Sequence, residues 1–177
     1  MNEGRVSVRY AKALLSAVGD DTQKGRGYYD AAGLLVEVLT RLGGEFQKML
    51  HSTVVEEADK LRFVERMVER VAPVLLPFTQ LMYKHQRAVY LERALRMFRF
   101  LYSQKFGIVH AHVEACTELP KRMHERLEAF LQQRFGKQIE VDYSEDRNLI
   151  GGFTVEVNDS LLDCSIAGEL RSMLSEL

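Results

Sequence analysis

Through its first hundred residues the chain places apolar side chains at three- and four-residue intervals, the period of helices with one buried face. Val8, Ala11, Leu15 and Val18 make the first stripe, flanked by Tyr10 and Leu14, with Ser7 as the expected cap and Gly19 as the stop. The polar run 20–27, DDTQKGRG, reads as a loop. A second helix is expected over 28–42, burying Ala32, Leu35, Leu39 and Leu42, and Gly43-Gly44 breaks it before a short helix carrying Phe46, Met49 and Leu50. Thr53-Val54-Val55-Glu56 fits a capping box opening a fourth helix with Leu61, Val64, Val68 and Val71 inward. Pro73 and Pro77 bracket a break, and Pro77 suits the first turn of a fifth helix whose apolar side is Phe78, Leu81 and Met82. A sixth helix buries Leu91, Leu95, Phe98 and Tyr102, with Leu101 and Phe106 beside them, and stops at Gly107. Amphipathic helices this short are not stable alone, so the pattern predicts a six-helix bundle over residues 1–106.

At residue 107 the period changes from helical to alternating. In 108–116, IVHAHVEAC, the residues Val109, Ala111, Val113 and Ala115 fall on one side, and His110, His112 and Glu114 on the other, as in a strand with one buried face. Pro120 opens a helix with Met123, Leu127, Phe130 and Leu131 inward, ended by Gly136. Ile139, Val141 and Tyr143 form a second strand, and 144–148 a charged turn. Gly151-Gly152 leads into a third strand, with Phe153, Val155 and Val157 on one face. Asn158-Asp159-Ser160 then turns the chain into a short return strand through Leu161 and Leu162. Asp163 and Ser165 stand where a last helix needs its first amides capped, with Ile166, Leu170 and Leu174 inward. The expected class is mainly α: a six-helix bundle, then a small α+β domain over 107–177 with a short mixed sheet and two helices. No flexible linker separates them, and the sixth helix is expected to run straight into the first strand.

Composition narrows the function classes. The formal net charge is -1, and apolar residues make up 46% against 28% charged, which argues against a globally basic nucleic-acid binder. No apolar run approaches the roughly 20 residues needed to span a bilayer, and the first residues lack a secretory or transit pattern. The compartment this implies is a bacterial cytoplasm or its membrane-facing surface. Cys116 and Cys164, the only cysteines, read as two reduced, packed thiols rather than a disulfide.

Candidate chemistry is sparse. His110 and His112 share a strand face with Glu114, but a straight strand holds such ligands about 7 Å apart, so a solvated face is favoured over a metal site or an enzyme built on these residues. The basic run Lys84, Arg87, Arg93, Arg96, Arg99 and Lys105 opposes only Glu92, and suits a polar helix face or an acidic protein partner. Asp163 beside Cys164 would raise rather than lower a thiol pKa, against a nucleophile. Gly151-Gly152 lacks the phosphate-loop pattern. No catalytic, cofactor-binding or metal-ligating set stands out, so the residues alone leave two readings: a structural connector, or an adaptor or regulatory bundle with other protein partners.

Two signatures add to this. Arg9-Tyr10-Ala11-Lys12-Ala13-Leu14 resembles an R-Y-A-x-A-L opening, and L-I-G-G-F over 149–153, followed by Asp163-Cys164-Ser165, resembles a C-terminal motif usually read D-G-S. With the strand entry Gly107–Ala115, they resemble the delta subunit of F-type ATP synthases, the family of the mitochondrial oligomycin-sensitivity-conferring protein. The signature residues are Arg9, Tyr10, Ala11, Gly151, Gly152, Asp163 and Ser165; Cys164 in place of glycine implies either that positive φ is not strictly required there or that the backbone bears some strain. The resemblance implies a non-catalytic peripheral-stalk connector without cofactors. Its N-terminal domain would bind N-terminal helices of alpha subunits in a groove between the first and fifth helices, around Tyr10, Leu14, Leu81 and Met82. Its C-terminal domain would bind the C-terminal ends of b-subunit helices. It implies a peripheral place on the cytoplasmic face of the bacterial inner membrane, touching the membrane only through the complex, and no nucleic-acid partner.

Overall fold

The computed structural model describes residues 3–117, 119–135, 138–157 and 160–175. The chain divides into two compact units, Met1–Gln104 and Lys105–Leu177. Among the described residues there are eight α-helices and four strands, and six of the helices precede the first strand.

The first unit is helical. Helix α1 spans Glu3–Val18, α2 Thr22–Leu42, α3 Gly44–His51, α4 Glu57–Val71, α5 Leu76–Lys84 and α6 Leu91–Phe106, with 3-10 turns at Pro73–Leu75 and Ala88–Tyr90. In α1, Ala11 and Val18 are buried as expected, while Ser7 and Leu14 take the places of Val8 and Leu15, which are half-buried. The helix begins four residues before Ser7, whose small side chain packs inward instead of capping. Gly19 closes α1 at positive φ, its amide bonded to the Leu15 carbonyl. The polar run after it is not a loop. Asp21 caps α2 by accepting the Lys24 amide at 3.0 Å, and Gly25 and Gly27 lie inside the helix. Gly25 is there for close approach: a Cβ would sit 2.8 Å from Tyr102 Cε2. Tyr102 in turn stacks on Tyr29 at 5.0 Å and lies 6.0 Å from Phe98, and these three rings anchor α2 to α6.

The capping box before α4 does not form. Ser52 Oγ accepts the Val54 amide at 3.2 Å, a local turn that leaves Val54 exposed and starts the helix at Glu57. Val64 and Val68 are buried as expected, with Leu61 and Val71 half-buried.

The second unit is a four-stranded mixed sheet in the order β2-β1-β3-β4, from β1 Val109–Ala115, β2 Ile139–Glu145, β3 Gly152–Val157 and β4 Ser160–Ser165. Strands β1 and β2 pair in parallel, joined by α7 over Lys121–Phe135, and the other pairs are antiparallel. Helix α7 lays Leu127 and Leu131 on Val109, Ala111, Val113, Val155 and Val157. Met123 and Phe130, expected inward, are substantially exposed, because only the i, i+4 pair Leu127 and Leu131 points at the narrow sheet. The charged turn begins after β2, where Asp146 accepts the Asn148 amide at 2.9 Å. Gly136, Asn158, Asp159 and the Leu174 side chain lie outside the described residues.

Val155 sits at the centre of this core with no exposed surface, paired with Val113 on one side and Leu162 on the other. Val155→Asp is expected to cost more than about 3 kcal/mol and to abolish cooperative melting of the second unit. Glu156→Ala on the opposite face should stay within about 0.5 kcal/mol in the same calorimetric scan.

Candidate partner-binding groove

Between α1 and α5 runs a groove of about 790 Å³. Its α1 wall is Val6, Tyr10, Ala13 and Ala17, its α5 wall Pro77 and Leu81, and Val74 and Tyr28 close its sides. Leu14 and Phe78, both buried, form the floor, where Tyr10 meets Phe78 edge-on at 6.3 Å. Arg9, His85 and Arg87 stand at the rim, and no carboxylate is among the lining residues. From Val6 to Ala17 the wall covers three helical turns, roughly 16 Å. Ala13 and Ala17 expose almost nothing beyond Cβ, so another backbone can come close. A long, open, apolar trough with cations at its edge suits an amphipathic helix.

Tyr10, Leu14 and Leu81 all line this groove, but Leu14 does so from the floor, at 5% exposure. Met82 does not line it: it has no exposed surface and points into the helical core, being one position round α5 from Leu81. Sequence reasoning missed Ala13 and Ala17, although alanines four apart on the unburied side of α1 were the available signal.

The position of α5 is set from both ends. At its C-terminus the Arg87 amide bonds the Met82 carbonyl and the Gln86 amide the Tyr83 carbonyl, each at 2.8 Å, a Schellman motif with Gln86 at φ +58. This reversal carries Arg87 to the groove rim. Across from it, Tyr83 donates its hydroxyl to Glu57 Oε2 at 2.7 Å, and Lys60 Nζ, buried, pairs with Glu57 Oε1 at 2.6 Å. The Lys60 and Tyr83 hydrogen bonds hold the Glu57 carboxyl below its usual range. Burial, then the bond to Glu57, push Tyr83 up to about 12.

In the second unit the paired glycines and the aspartate–serine signature form one lock. Gly152 has φ +82, and a Cβ on it would strike the Cys164 carbonyl. A Cβ on Gly151 would meet Ile166 Cδ1, and the Gly151 carbonyl accepts the Ile166 amide at 3.0 Å. Ser165 Oγ donates to Asp163 Oδ1 and accepts the Gly168 amide at 3.0 Å, capping α8 over Ile166–Ser175. Asp163 also holds Arg171 at 3.2 Å, and its carboxyl is lowered chiefly by the Ser165 hydroxyl. Cys164 does not have positive φ. It is exposed rather than packed, Cys116 is half-buried, and both are free thiols. Burial of the sulfur, then Asp163, raise the Cys164 pKa, against a nucleophilic role. Helix α8 leaves Ile166, Leu170 and Met173 largely exposed at i, i+4, i+7, although Ile166 and Leu170 were expected inward; the cap and the paired glycines fix the helix start, and the outward stripe is left without a partner.

His112 bonds Ser144 Oγ at 3.2 Å and lies 3.4 Å from Glu114, and His110 lies 3.7 Å from Glu140. These pairs run along and across the strands, and among the described residues no group of three or more such side chains could hold a metal ion.

Fold and groove together define a helical scaffold with a partner-binding face. The chain belongs to the family described as ATP synthase delta (OSCP) subunit, which matches residues 6–177. "ATP synthase subunit delta" of Desulfosudis oleivorans is 28% identical over 96% of this chain and 92% of its own length. The protein of that name from Syntrophus aciditrophicus is 27% identical over 99% and 98%, and that from Leptospira interrogans 28% over 99% and 95%. In fold, the chain is similar to one in the cryo-EM structure of the Toxoplasma gondii mitochondrial ATP synthase hexamer, with a TM-score of 0.67 at 18% identity, covering 99% of this chain and 97% of that one. Its role is that of a structural, non-catalytic subunit of the ATP synthase peripheral stalk.

Two outcomes test how α5 is held. Gln86→Gly relieves a left-handed side-chain residue and should stabilise the chain by roughly 0.5–1 kcal/mol in thermal melts. Because the Glu57 carboxyl is lowered in the fold, its stabilisation is fully present above the usual carboxylate range and is lost as pH falls below that range, through its lowered folded value. Glu57→Gln should therefore lower the melting temperature near pH 7, with the difference from wild type shrinking as the pH is taken below the usual carboxylate range.

Proposed function

We propose that the first unit caps the catalytic head of the ATP synthase as a six-helix bundle, holding an N-terminal helix of an alpha subunit in the α1–α5 groove. The second unit, over 107–177, holds the C-terminal ends of the b-subunit helices, with the exposed stripe Ile166, Leu170 and Met173 of α8 as its docking face. The observation that carries this reading is the groove itself: three turns long, apolar in its floor and walls, and rimmed by Arg9 and Arg87.

The physics suits the task. A static connector resists reaction torque from a turning rotor by staying bound, so it needs long residence rather than reactive groups. Apolar helix burial supplies residence, and a charged rim supplies orientation and encounter rate. The assembly lies on the cytoplasmic face of the bacterial inner membrane, and this chain meets the membrane only through its partners. Among the described residues, no helix is long and apolar enough to cross a membrane.

Leu14 is too buried to test the groove, since a charge there would also damage the core. Leu81, 47% exposed on the groove wall, is the better probe. Leu81→Glu should weaken pull-down of alpha subunits by roughly tenfold or more while melting stays within about 0.5 kcal/mol of wild type. Capture of b subunits should persist in that variant and fall with Leu170→Glu. Failure of the unaltered chain to capture either subunit would remove the connector assignment of these surfaces.

A further inference from the structure

The mixed sheet of the second unit ends on two different edges. Strand β2, at one side, carries Glu140, Asp142 and Glu145, charges that discourage another strand from pairing. Strand β4, at the other, reads Ser-Leu-Leu-Asp-Cys-Ser, with no proline, lysine or bulge to guard it. Its one charge, Asp163, is turned to Ser165 and Arg171. The strand pairing shows which backbone groups are open. Gly152 gives its carbonyl to the Cys116 amide, on the β1 side, at 3.4 Å. Alternation then turns Phe153, Val155 and Val157 to β4, where Cys164, Leu162 and Ser160 answer them. Leu161 and Asp163 are left with amide and carbonyl pointing outward, and no described backbone group meets them. Beside this edge, between β4 and α7, lies an apolar crevice of about 210 Å³. Phe130 and Leu162, 45% and 43% exposed, stand at its sides with Leu131 and Val155 beneath. Among the described residues Arg134 is its one charged lining residue, exposed and paired with no carboxylate.

We infer that the β4 edge takes an extended, acidic segment of a partner protein as a fifth strand, with an apolar side chain in the crevice beside α7 and a carboxylate on Arg134. The open groups of Leu161 and Asp163 recur at strand spacing, so an extended backbone can meet both, whereas a helix keeps its own amides and carbonyls occupied. The crevice lies on the α7 face of Leu162, where the residue opposite Leu162 in an added strand points its side chain. Its volume suits one large apolar group. Arg134 complements a segment with an acidic residue beside that anchor. The Ser165 amide is already bonded to Asp163 Oδ1 at 2.9 Å, which closes the edge at that end, so the added strand is short, roughly four residues. The inference does not rest on what covers α8.

The test uses the full chain bearing Leu170→Glu, so that the α8 stripe does not contribute. The probe is a fluorescent eight-residue peptide of alternating threonine and valine, with a central phenylalanine and a glutamate two positions to either side of it. Anisotropy titration should show saturable binding. Methylating one alternate set of the peptide's backbone nitrogens should raise Kd by roughly tenfold or more, and methylating the other set should leave it unchanged, as only strand pairing requires. Leu161→Pro, which deletes an outward amide and keeps the bonds to β3, should weaken binding by a similar factor, and so should Arg134→Glu. The inference is overturned if the peptide does not bind, if the two methylated peptides bind alike, or if Arg134→Glu leaves Kd unchanged. It is equally overturned if sedimentation shows the edge already occupied by a second copy of this chain, in a dimer that Leu161→Pro dissociates. Loss of b-subunit capture in Leu170→Glu alone reports on α8, so the two assignments fail separately.

Discussion

The α1–α5 groove exists because of where a nine-residue helix is held. Helix α5 is too short to be stable by itself, so its position is dictated by its neighbours. The 3-10 turn at Pro73–Leu75 delivers it, with Leu75 fully buried and Thr79 Oγ1 returning a hydrogen bond to the Leu75 carbonyl at 3.1 Å. Met82 and Phe78 fasten its inner face. Tyr83 fastens its far end to Glu57, and Lys60 is drawn into the same contact although a buried ammonium is costly without a partner. With α5 so fixed, Leu81 and Pro77 are left to face α1 across a gap that nothing in the unit fills.

Two kinds of glycine serve the two units. Gly25 allows α2 and α6 to approach until Tyr102 covers its Cα, beside the ring cluster with Tyr29 and Phe98. Arg99 lies over Tyr29 at 4.7 Å and closes that cluster from the side. Gly152 acts through φ rather than size, letting β3 begin beneath the Cys164 carbonyl while Asp163 and Ser165 start α8.

Much of this was legible in the sequence. Six helical stripes, the switch to alternation after Gly107, the order of the strands and the Asp163–Ser165 cap follow from period and turn chemistry. What was not legible has identifiable causes. Thr53 to Glu56 satisfied a capping pattern, but the Val54 amide turns back onto Ser52 Oγ and the helix starts only at Glu57. The run 20–27 looked like a loop because glycine disfavours helix interiors; only the ring of Tyr102, distant in sequence, explains Gly25. Leu81 and Met82 are adjacent apolar residues on one short helix, and no local pattern says which faces the groove and which the core. Half-exposed Phe130, Leu170 and Ile166 defeat pattern reading for a related reason. A docking face has the same periodicity as a buried one, because it is a buried face whose partner is another chain.

That last equivalence explains how open apolar faces can serve a structural stalk subunit. Its energetics are those of an incomplete core. The apolar stripes of α1 and α5 and of α8 are each too narrow to drive indiscriminate aggregation, and the first is bordered by arginines that remain hydrated when alone. Where several apolar faces of one chain are covered at once, attachment is long-lived, because release requires releasing all of them together. Mechanical holding therefore needs no single strong site. It needs a stiff scaffold, such as the Tyr29–Tyr102 and Gly152–Ser165 clusters provide, and separate apolar faces whose partners are themselves anchored elsewhere.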